Sequence, residues 1–207
     1  MSIERVDELI ASSMPVHGWM TPEKARRVAR LVAALPGRPV HCVELGVFGG
    51  RGVAAMALAI LHCRQGEGTV DGIDPYTAGA ALEGTNDEAN RVWWSKLDYA
   101  EILRTARAAF DRLHVTSLIR MRIERSQDVV DDYADGTIDL LHQDSNHSQE
   151  VSTWEAENWT PKMKPGGIWV FDDTNWETTK AAQRLLESRG FARTEQFDTW
   201  AVFRAPV

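Results

Sequence analysis

Short apolar runs alternate with segments of helical periodicity along this chain. Runs of about four to eight apolar residues between turn signals are typical of strands, whereas apolar positions that recur every three or four residues are typical of helices. The pattern predicts strands at residues 40–45, 69–73, 118–123, 138–142 and 168–171, and helices at residues 22–35, 53–63, 97–113, 127–133, 149–159 and 178–188. Segments 191–197 and 199–204 alternate like a hairpin around Asp198.

This order of elements predicts an α/β fold. Strands that alternate with helices form right-handed crossovers, which give a mainly parallel sheet with helices on both faces. The closing hairpin predicts an antiparallel end to that sheet. With 207 residues, we expect a single domain over 1–207, in which residues up to about 36 form an N-terminal helical cap.

Composition and charge restrict the possible function. A net charge of −7 argues against a nucleic-acid backbone as substrate, because such a substrate needs a basic face. We find neither a signal-peptide core nor a membrane span in the sequence and therefore expect a cytoplasmic protein. Cys42 and Cys63 lack zinc-site spacing and are interpreted as reduced thiols.

A glycine-rich turn follows the first predicted strand. Glu44 comes ahead of Gly46, Gly50 and Gly52, and a predicted helix follows. Glycine lets a backbone take positive φ or approach a ligand closely, and a helix N-terminus points free N–H groups at whatever lies there. The order differs from the G-x-G-x-x-G of dinucleotide sites. It resembles motif I of the class I S-adenosylmethionine (SAM) methyltransferases, which implies a turn beneath the methionine part of SAM with Glu44 near its ammonium.

Two further candidate cofactor-binding residues follow the next two strands. Ligands of open α/β sheets bind beyond the C-terminal strand ends. Asp74 ends the second strand and suits the ribose hydroxyls; the alternative is a turn or helix-cap aspartate, and we favour the ribose role. Ser126 follows the third strand, where methyltransferases usually contact adenine, and it is equally consistent with a helix N-cap.

Three carboxylates follow the fourth and fifth strands. Asp144 ends one strand, and Asp172 and Asp173 end the other. Adjacent parallel strands lie about 4.8 Å apart, so these side chains are expected to converge. A hard divalent ion such as Mg²⁺ offsets the mutual repulsion of carboxylates. Asp144 and Asp173 as simple caps are the alternative, and we favour a metal site.

The segments IDLLHQDSNHSQE and MKPGGIWVFDDT resemble the cation-dependent O-methyltransferases of the macrocin O-methyltransferase and cephalosporin-hydroxylase-like group, of the methyltransferase family 24 type. The resemblance implies a Rossmann-like seven-stranded sheet, with SAM as cofactor and Mg²⁺ on Asp144, Asp172 and Asp173. More distantly, the chain is similar to catechol O-methyltransferase, in which a lysine base stands three positions after the first metal acid. His147 occupies that position here. We predict His147 as the catalytic base beside Asp144, or else as a residue that orients Asp144.

These features predict a SAM-dependent and Mg²⁺-dependent O-methyltransferase that acts on a hydroxyl of a small molecule, such as a sugar, polyketide or phenol. The alternatives are a non-catalytic SAM-binding partner or regulatory protein, and an oxidoreductase on the same scaffold. We expect no nucleic-acid or membrane partner, and a homo-oligomer.

The aromatic residues and the remaining histidines carry weaker predictions. Trp93, Trp94 and Trp176 are interpreted either as walls of an acceptor pocket or as core. Trp169 and Trp200 lie on predicted strands and are expected in the core. The histidines other than His147, including His142, are interpreted as structural.

Overall fold

A seven-stranded sheet organises the protein. The computed structural model describes residues 2–15, 17–85 and 87–207. The strand order is β3-β2-β1-β4-β5-β7-β6, in which β1 to β5 pair in parallel and β7 is antiparallel to both β5 and β6. The strands are β1 (Val40–Leu45), β2 (Gly68–Ile73), β3 (Ile119–Arg122), β4 (Ile138–Gln143), β5 (Met163–Phe171), β6 (Ala192–Gln196) and β7 (Ala201–Arg204). The Rossmann-like mixed sheet with its C-terminal hairpin confirms the predicted fold.

Nine α-helices lie in the described residues. They are α1 (Ile3–Ser13), α2 (Pro22–Ala33), α3 (Arg51–Cys63), α4 (Ala78–Ala81), α5 (Glu88–Trp94), α6 (Tyr99–Arg112), α7 (Ser126–Val129), α8 (Gln149–Trp159) and α9 (Lys180–Ser188). None of these helices is both long and apolar enough to cross a bilayer.

The sheet separates two apolar cores. Successive side chains of a strand point to opposite faces, and in β1 Cys42 joins the core beneath α1, α2 and α3, whereas Val43 and Leu45 join the core beneath α8 and α9. Trp169 and Trp200 are buried, as predicted. Burial on both faces is consistent with the four apolar residues among the six of β1.

The start of α2 follows its sequence signals. The Thr21 hydroxyl oxygen accepts a hydrogen bond from the Lys24 backbone N–H (3.2 Å), and Pro22 takes the first helical position. The helix packs against α3 and buries the side chains of Ala25, Val28 and Val32. This packing also fixes where the side chain of Lys24 points.

Two segments differ from the sequence prediction. Residues 163–167, which lie before the strand predicted at 168–171, also belong to β5, since Met163 pairs with Ile138 across a register shift in the ladder. The segment 76–94, for which no helix was predicted, contains α4 and α5. The side chains of Thr77 and Asp87 cap these helices by accepting hydrogen bonds from backbone N–H groups.

Candidate active site

The C-terminal ends of β1, β4 and β5 bring four polar side chains together. Glu44 and His142 are cross-strand neighbours in the β1–β4 ladder. The ladder continues past the strands, because Asp144 N–H donates to Leu45 O (2.9 Å) and Asp172 N–H donates to Gln143 O (3.0 Å). Asp144 and Asp172 therefore lie side by side, as predicted from their places in the sequence.

Protein atoms, rather than open ligand space, surround the glycines of the turn. A Cβ at Gly46 would lie 2.2 Å from Asp144 O, and one at Gly52 would lie 1.8 Å from Glu44 Oε1. At Gly50, where φ is +83°, a Cβ would lie 2.6 Å from the Phe110 ring. Gly46 and Gly50 both take a φ of +83°, the first of the two reasons given for glycine in this turn, and the glycines also let chain segments approach one another. The contact of this turn with SAM stays a prediction.

Glu44 lies beneath the turn and is only 1% exposed. Its Oε2 accepts a hydrogen bond from the Val53 N–H in the first turn of α3 (2.7 Å), and its Oε1 lies 2.6 Å from His142 Nδ1. The carboxylate thus satisfies a helix N-terminus and orients an imidazole. Its suggested contact with the SAM ammonium stays a prediction.

Asp74 clamps the glycine turn to the end of β2. Its Oδ2 accepts hydrogen bonds from the backbone N–H groups of Val47 (3.0 Å) and Phe48 (2.8 Å), and its Oδ1 accepts one from Tyr76 N–H (2.7 Å). Burial raises the pKa of Asp74 above its ordinary value, an effect that these N–H groups oppose. This is the turn-aspartate alternative, and it leaves one acceptor position at Oδ1 for a ribose hydroxyl.

Ser126 lies behind the sheet edge where we predicted the adenine contact. It is the first residue of α7, whose N-cap is Arg125, so the N-cap alternative for Ser126 was wrong. Its hydroxyl donates to Glu155 Oε1 (2.6 Å), and the residue is buried. An adjacent cavity of about 640 Å³ is lined by residues that include Pro75, Ile123 and Glu124.

Asp144 and Asp172 share a hydrogen bond and a buried cation. Lys24, which is 4% exposed, places its Nζ 2.7 Å from Asp172 Oδ2 and 4.0 Å from Asp144 Oδ2. Burial and the negative charge of Asp172 raise the pKa of Asp144 well above its ordinary value. Burial also disfavours ionisation of Asp172, but the Lys24 ammonium and the hydrogen bond from Asp144 hold the pKa of Asp172 below its ordinary value. Of the two carboxyls, Asp144 is therefore the one that is harder to ionise.

Asp173 points towards His147 instead of joining this pair. Its backbone φ of +47° is in the left-handed region, and its Oδ2 lies 3.5 Å from His147 Nδ1. His147 Nε2 lies 3.9 Å from Asp144 Oδ1 and has no hydrogen-bond partner among the described residues. Burial lowers the pKa of His147, so the imidazole is neutral at neutral pH and is able to accept a proton.

His142, which we interpreted as structural, belongs to this cluster. It is fully buried, and its Nε2 lies 3.8 Å from Asp144 Oδ2 without a hydrogen-bond partner in the described part of the chain. Glu44, His142 and Asp144 each offer one ligand atom, and these atoms lie within 4.8 Å of one another. The sequence could have indicated this position, since His142 stands two positions before Asp144 and alternate residues of a strand face the same side.

This donor set fits a divalent cation. Deprotonated, the Asp144 and Asp172 carboxylates are two anionic oxygen ligands of the kind that hard divalent cations prefer. The unpartnered nitrogen of His142 is backed by a carboxylate on its other nitrogen, which is the usual arrangement of a metal-binding histidine. The predicted trio is only partly assembled, because Asp173 faces His147.

A cluster of aromatic side chains packs on Phe48 of the glycine turn. Trp19 stacks on Phe48 with ring centroids 5.2 Å apart, and Trp93 and Trp94 complete the cluster. Trp19 and Trp93 are 63% and 40% exposed, so this cluster is a surface feature and not core. Trp176 lies 5.4 Å from the His147 ring and is 38% exposed.

Several solved structures of similar fold bear the name O-methyltransferase. The O-methyltransferase NovP has a TM-score of 0.74 at 15% identity, with 99% of this chain and 98% of that chain covered. The O-methyltransferase TomG from Streptomyces achromogenes, solved in complex with SAM, has a TM-score of 0.60 at 13% identity and coverage of 99% and 89%. An O-methyltransferase from Bacillus cereus in complex with SAH has a TM-score of 0.56 at 16% identity and coverage of 98% and 88%.

Sequence comparison identifies the family. Among curated proteins, the uncharacterized protein y4gI of Sinorhizobium fredii is 38% identical over 47 residues, which are 23% of this chain and only 5% of that protein. The family model described as a methyltransferase domain, of the family 24 type, matches residues 43–174. That match includes the glycine turn, Asp144 and the strand-end pair Asp172–Asp173, and the chain therefore belongs to this methyltransferase family.

Proposed function

We propose that the protein is a SAM-dependent and Mg²⁺-dependent O-methyltransferase that acts on a small hydroxylated molecule. The observation that carries the proposal is the His147 imidazole, which lies 3.9 Å from Asp144 and 3.5 Å from Asp173 at the strand ends of a methyltransferase fold. Structures of similar fold that bear the name O-methyltransferase, one of them in complex with SAM, support the choice of donor and of reaction.

The methyl donor would lie across the ends of β1, β2 and β3. The turn from Gly46 to Gly52 would pass beneath its methionine part, and Asp74 Oδ1 would accept one ribose hydrogen bond. The cavity beside Ile123, whose side chain is 41% exposed, offers an apolar surface for a purine ring. Ser126 would not contact the donor directly but would support the wall of this cavity through its hydrogen bond to Glu155.

Asp144 and Asp172 would hold the divalent cation, with His142 as a further nitrogen ligand, and Asp173, which faces His147, would lie beside this site. Such a cation lowers the pKa of a bound acceptor hydroxyl. Lys24 already neutralises part of the charge of these carboxylates, so the fold tolerates their proximity without an ion.

His147 would remove the acceptor proton. Its Nδ1 faces Asp173, which orients the ring and leaves Nε2 to take the hydroxyl proton. With SAM bound, the acceptor oxygen would take the methyl carbon from the sulfonium while His147 Nε2 holds the proton, and S-adenosylhomocysteine would be the leaving group. Trp176 would form one wall of the acceptor pocket, close to this base. Holding two reactants in line supplies much of the rate enhancement.

Calorimetry and methyl transfer test the proposal. SAM and S-adenosylhomocysteine should bind, whereas NAD should not, since the glycine order differs from a dinucleotide fingerprint. With methyl-labelled SAM and a panel of sugars, polyketides and phenols, label should appear on oxygen and disappear after chelation of divalent ions. Binding of NAD without SAM would overturn the assignment of the donor, and label on nitrogen would overturn the O-methyltransferase assignment.

A further inference from the structure

Lys24 is buried in the acid cluster of the candidate active site. Lysine is almost never buried without a partner, because removal of an ammonium from water is costly. Its Nζ lies 2.7 Å from Asp172 and 4.0 Å from Asp144. Lys164 forms a pair of the same length with Asp139, yet its side chain stays 39% exposed. Only the first of these two pairs places an ammonium between candidate metal ligands.

The fold holds this ammonium in position from several sides. Lys24 stands in the first turn of α2, where Thr21 caps its backbone N–H, and the helix body packs on α3. The Trp200 ring lies 5.8 Å from Nζ. Arg51 donates hydrogen bonds to Pro15 O (2.9 Å) and Met20 O (3.0 Å), which ties the segment before α2 to the start of α3. The fold therefore holds the Lys24 ammonium in place as a part of the site.

We infer that the Lys24 ammonium and the divalent cation compete for the Asp144–Asp172 pair, so that Lys24 sets the cation affinity of the site. This inference rests on the cation site of the proposed function. Both cations need the same carboxylate oxygens, and two positive charges at contact distance in a buried site repel each other strongly. Cation binding therefore requires Nζ to leave Asp172.

The competition also links the N-terminal cap to cation binding. Without a divalent ion, Lys24 compensates the pair and stabilises the contact between α2 and the strand ends. With the ion bound, Lys24 gives up that contact, and part of the binding free energy is spent on its displacement. The native site is consequently a weaker cation site than its ligands alone predict.

Titration of the SAM-free protein with Mn²⁺ tests the inference. Lys24→Met keeps much of the apolar stem but removes the charge, and it should raise Mn²⁺ affinity at least tenfold in calorimetry. Without Mn²⁺ this variant should have a lower Tm than wild type. Saturating Mn²⁺ should raise the Tm of the variant and so abolish this difference. Lys164→Met is the matched control and should leave Mn²⁺ affinity unchanged. Equal or weaker Mn²⁺ binding by Lys24→Met would overturn the inference.

A second measurement uses the wild-type protein and does not depend on the folding of a variant. Amine-reactive labelling of Lys24, followed by mass spectrometry, should increase on Mn²⁺ saturation because Nζ is released, whereas labelling of Lys164 should not change. Labelling of Lys24 that stays constant or falls while Mn²⁺ binds would show that the two cations coexist. Absence of Mn²⁺ binding in wild type and variant alike would overturn the proposed cation site and, with it, this inference. Neither measurement requires methyl transfer, so the donor assignment is tested separately.

Discussion

Replacement of Glu155 by glutamine should change how the stability of the protein depends on pH. Glu155 is fully buried on α8 and accepts hydrogen bonds from the hydroxyls of Ser126 (2.6 Å) and Ser145 (2.5 Å) and from the Gln143 side-chain amide (3.0 Å). Burial raises its pKa from 4.5 to about 7, although these three donors favour the charged form. The carboxyl is thus protonated in the folded protein at mildly acidic pH.

The sign follows from proton linkage. Between pH 4.5 and about 7 the unfolded chain has lost this proton while the folded protein retains it, so the folded state binds more protons. Its stability therefore falls as the pH rises through this window and becomes level above the folded pKa. At about 1.4 kcal/mol per tenfold change in the proton equilibrium, the effect amounts to roughly 3 kcal/mol.

Urea unfolding of wild type and Glu155→Gln between pH 4.5 and 8.5 measures this term. Glutamine keeps the shape and does not ionise, so the variant should gain roughly 3 kcal/mol of stability relative to wild type across the series. Glu157→Gln is the control on the same helix, because a carboxylate that is 59% exposed meets water in both states. The reasoning would be refuted if the free energy of unfolding of Glu155→Gln, relative to that of wild type, stayed constant or fell as the pH rises.

Three further predictions concern the site. Gly50→Val should destabilise the fold by roughly 1–3 kcal/mol in urea unfolding, since its Cβ would meet the Phe110 ring at a positive φ; unchanged stability contradicts this. His147→Ala should lower kcat by about 10²–10⁴-fold with Mn²⁺ affinity unchanged, whereas rescue by excess metal would indicate an orienting role. Asp144→Asn should weaken Mn²⁺ binding roughly tenfold or more in calorimetry and keep SAM affinity, and equal loss of both would contradict separate sites.

The sequence predicted the sheet well because its signals are local. The bounds predicted for β1 and α8 agree with the structure to the residue, since an apolar run or a helical period ends there at clear turn and cap residues. Residues 163–167 misled the prediction because Pro165 and two glycines signal a turn. The partner that makes this segment a strand, at Ile138, lies far away in the sequence.

Only those parts of the site that lie at strand ends could be predicted from the sequence. Asp144 and Asp172 meet because parallel strands end at one edge, a rule that needs no side-chain detail. Lys24 could not be placed, since a lysine near a helix start is normally solvated, and its burial depends on how α2 packs against α3. Asp173 does not join Asp144 and Asp172, because its left-handed backbone conformation directs its side chain towards His147. No residue near it in the sequence indicates this conformation.

The close approach at Gly46 joins the two halves of the site mechanically. The backbone of Asp144 lies where a side chain at residue 46 would be, and Glu44 and His142 bridge the same strands a short distance below. The glycine turn and the loop after β4 are therefore in direct contact, so in the proposed function the donor side and the cation side of the site would share one wall. Thermodynamic reciprocity then applies: whatever factor the bound donor applies to cation affinity, the cation must apply to donor affinity.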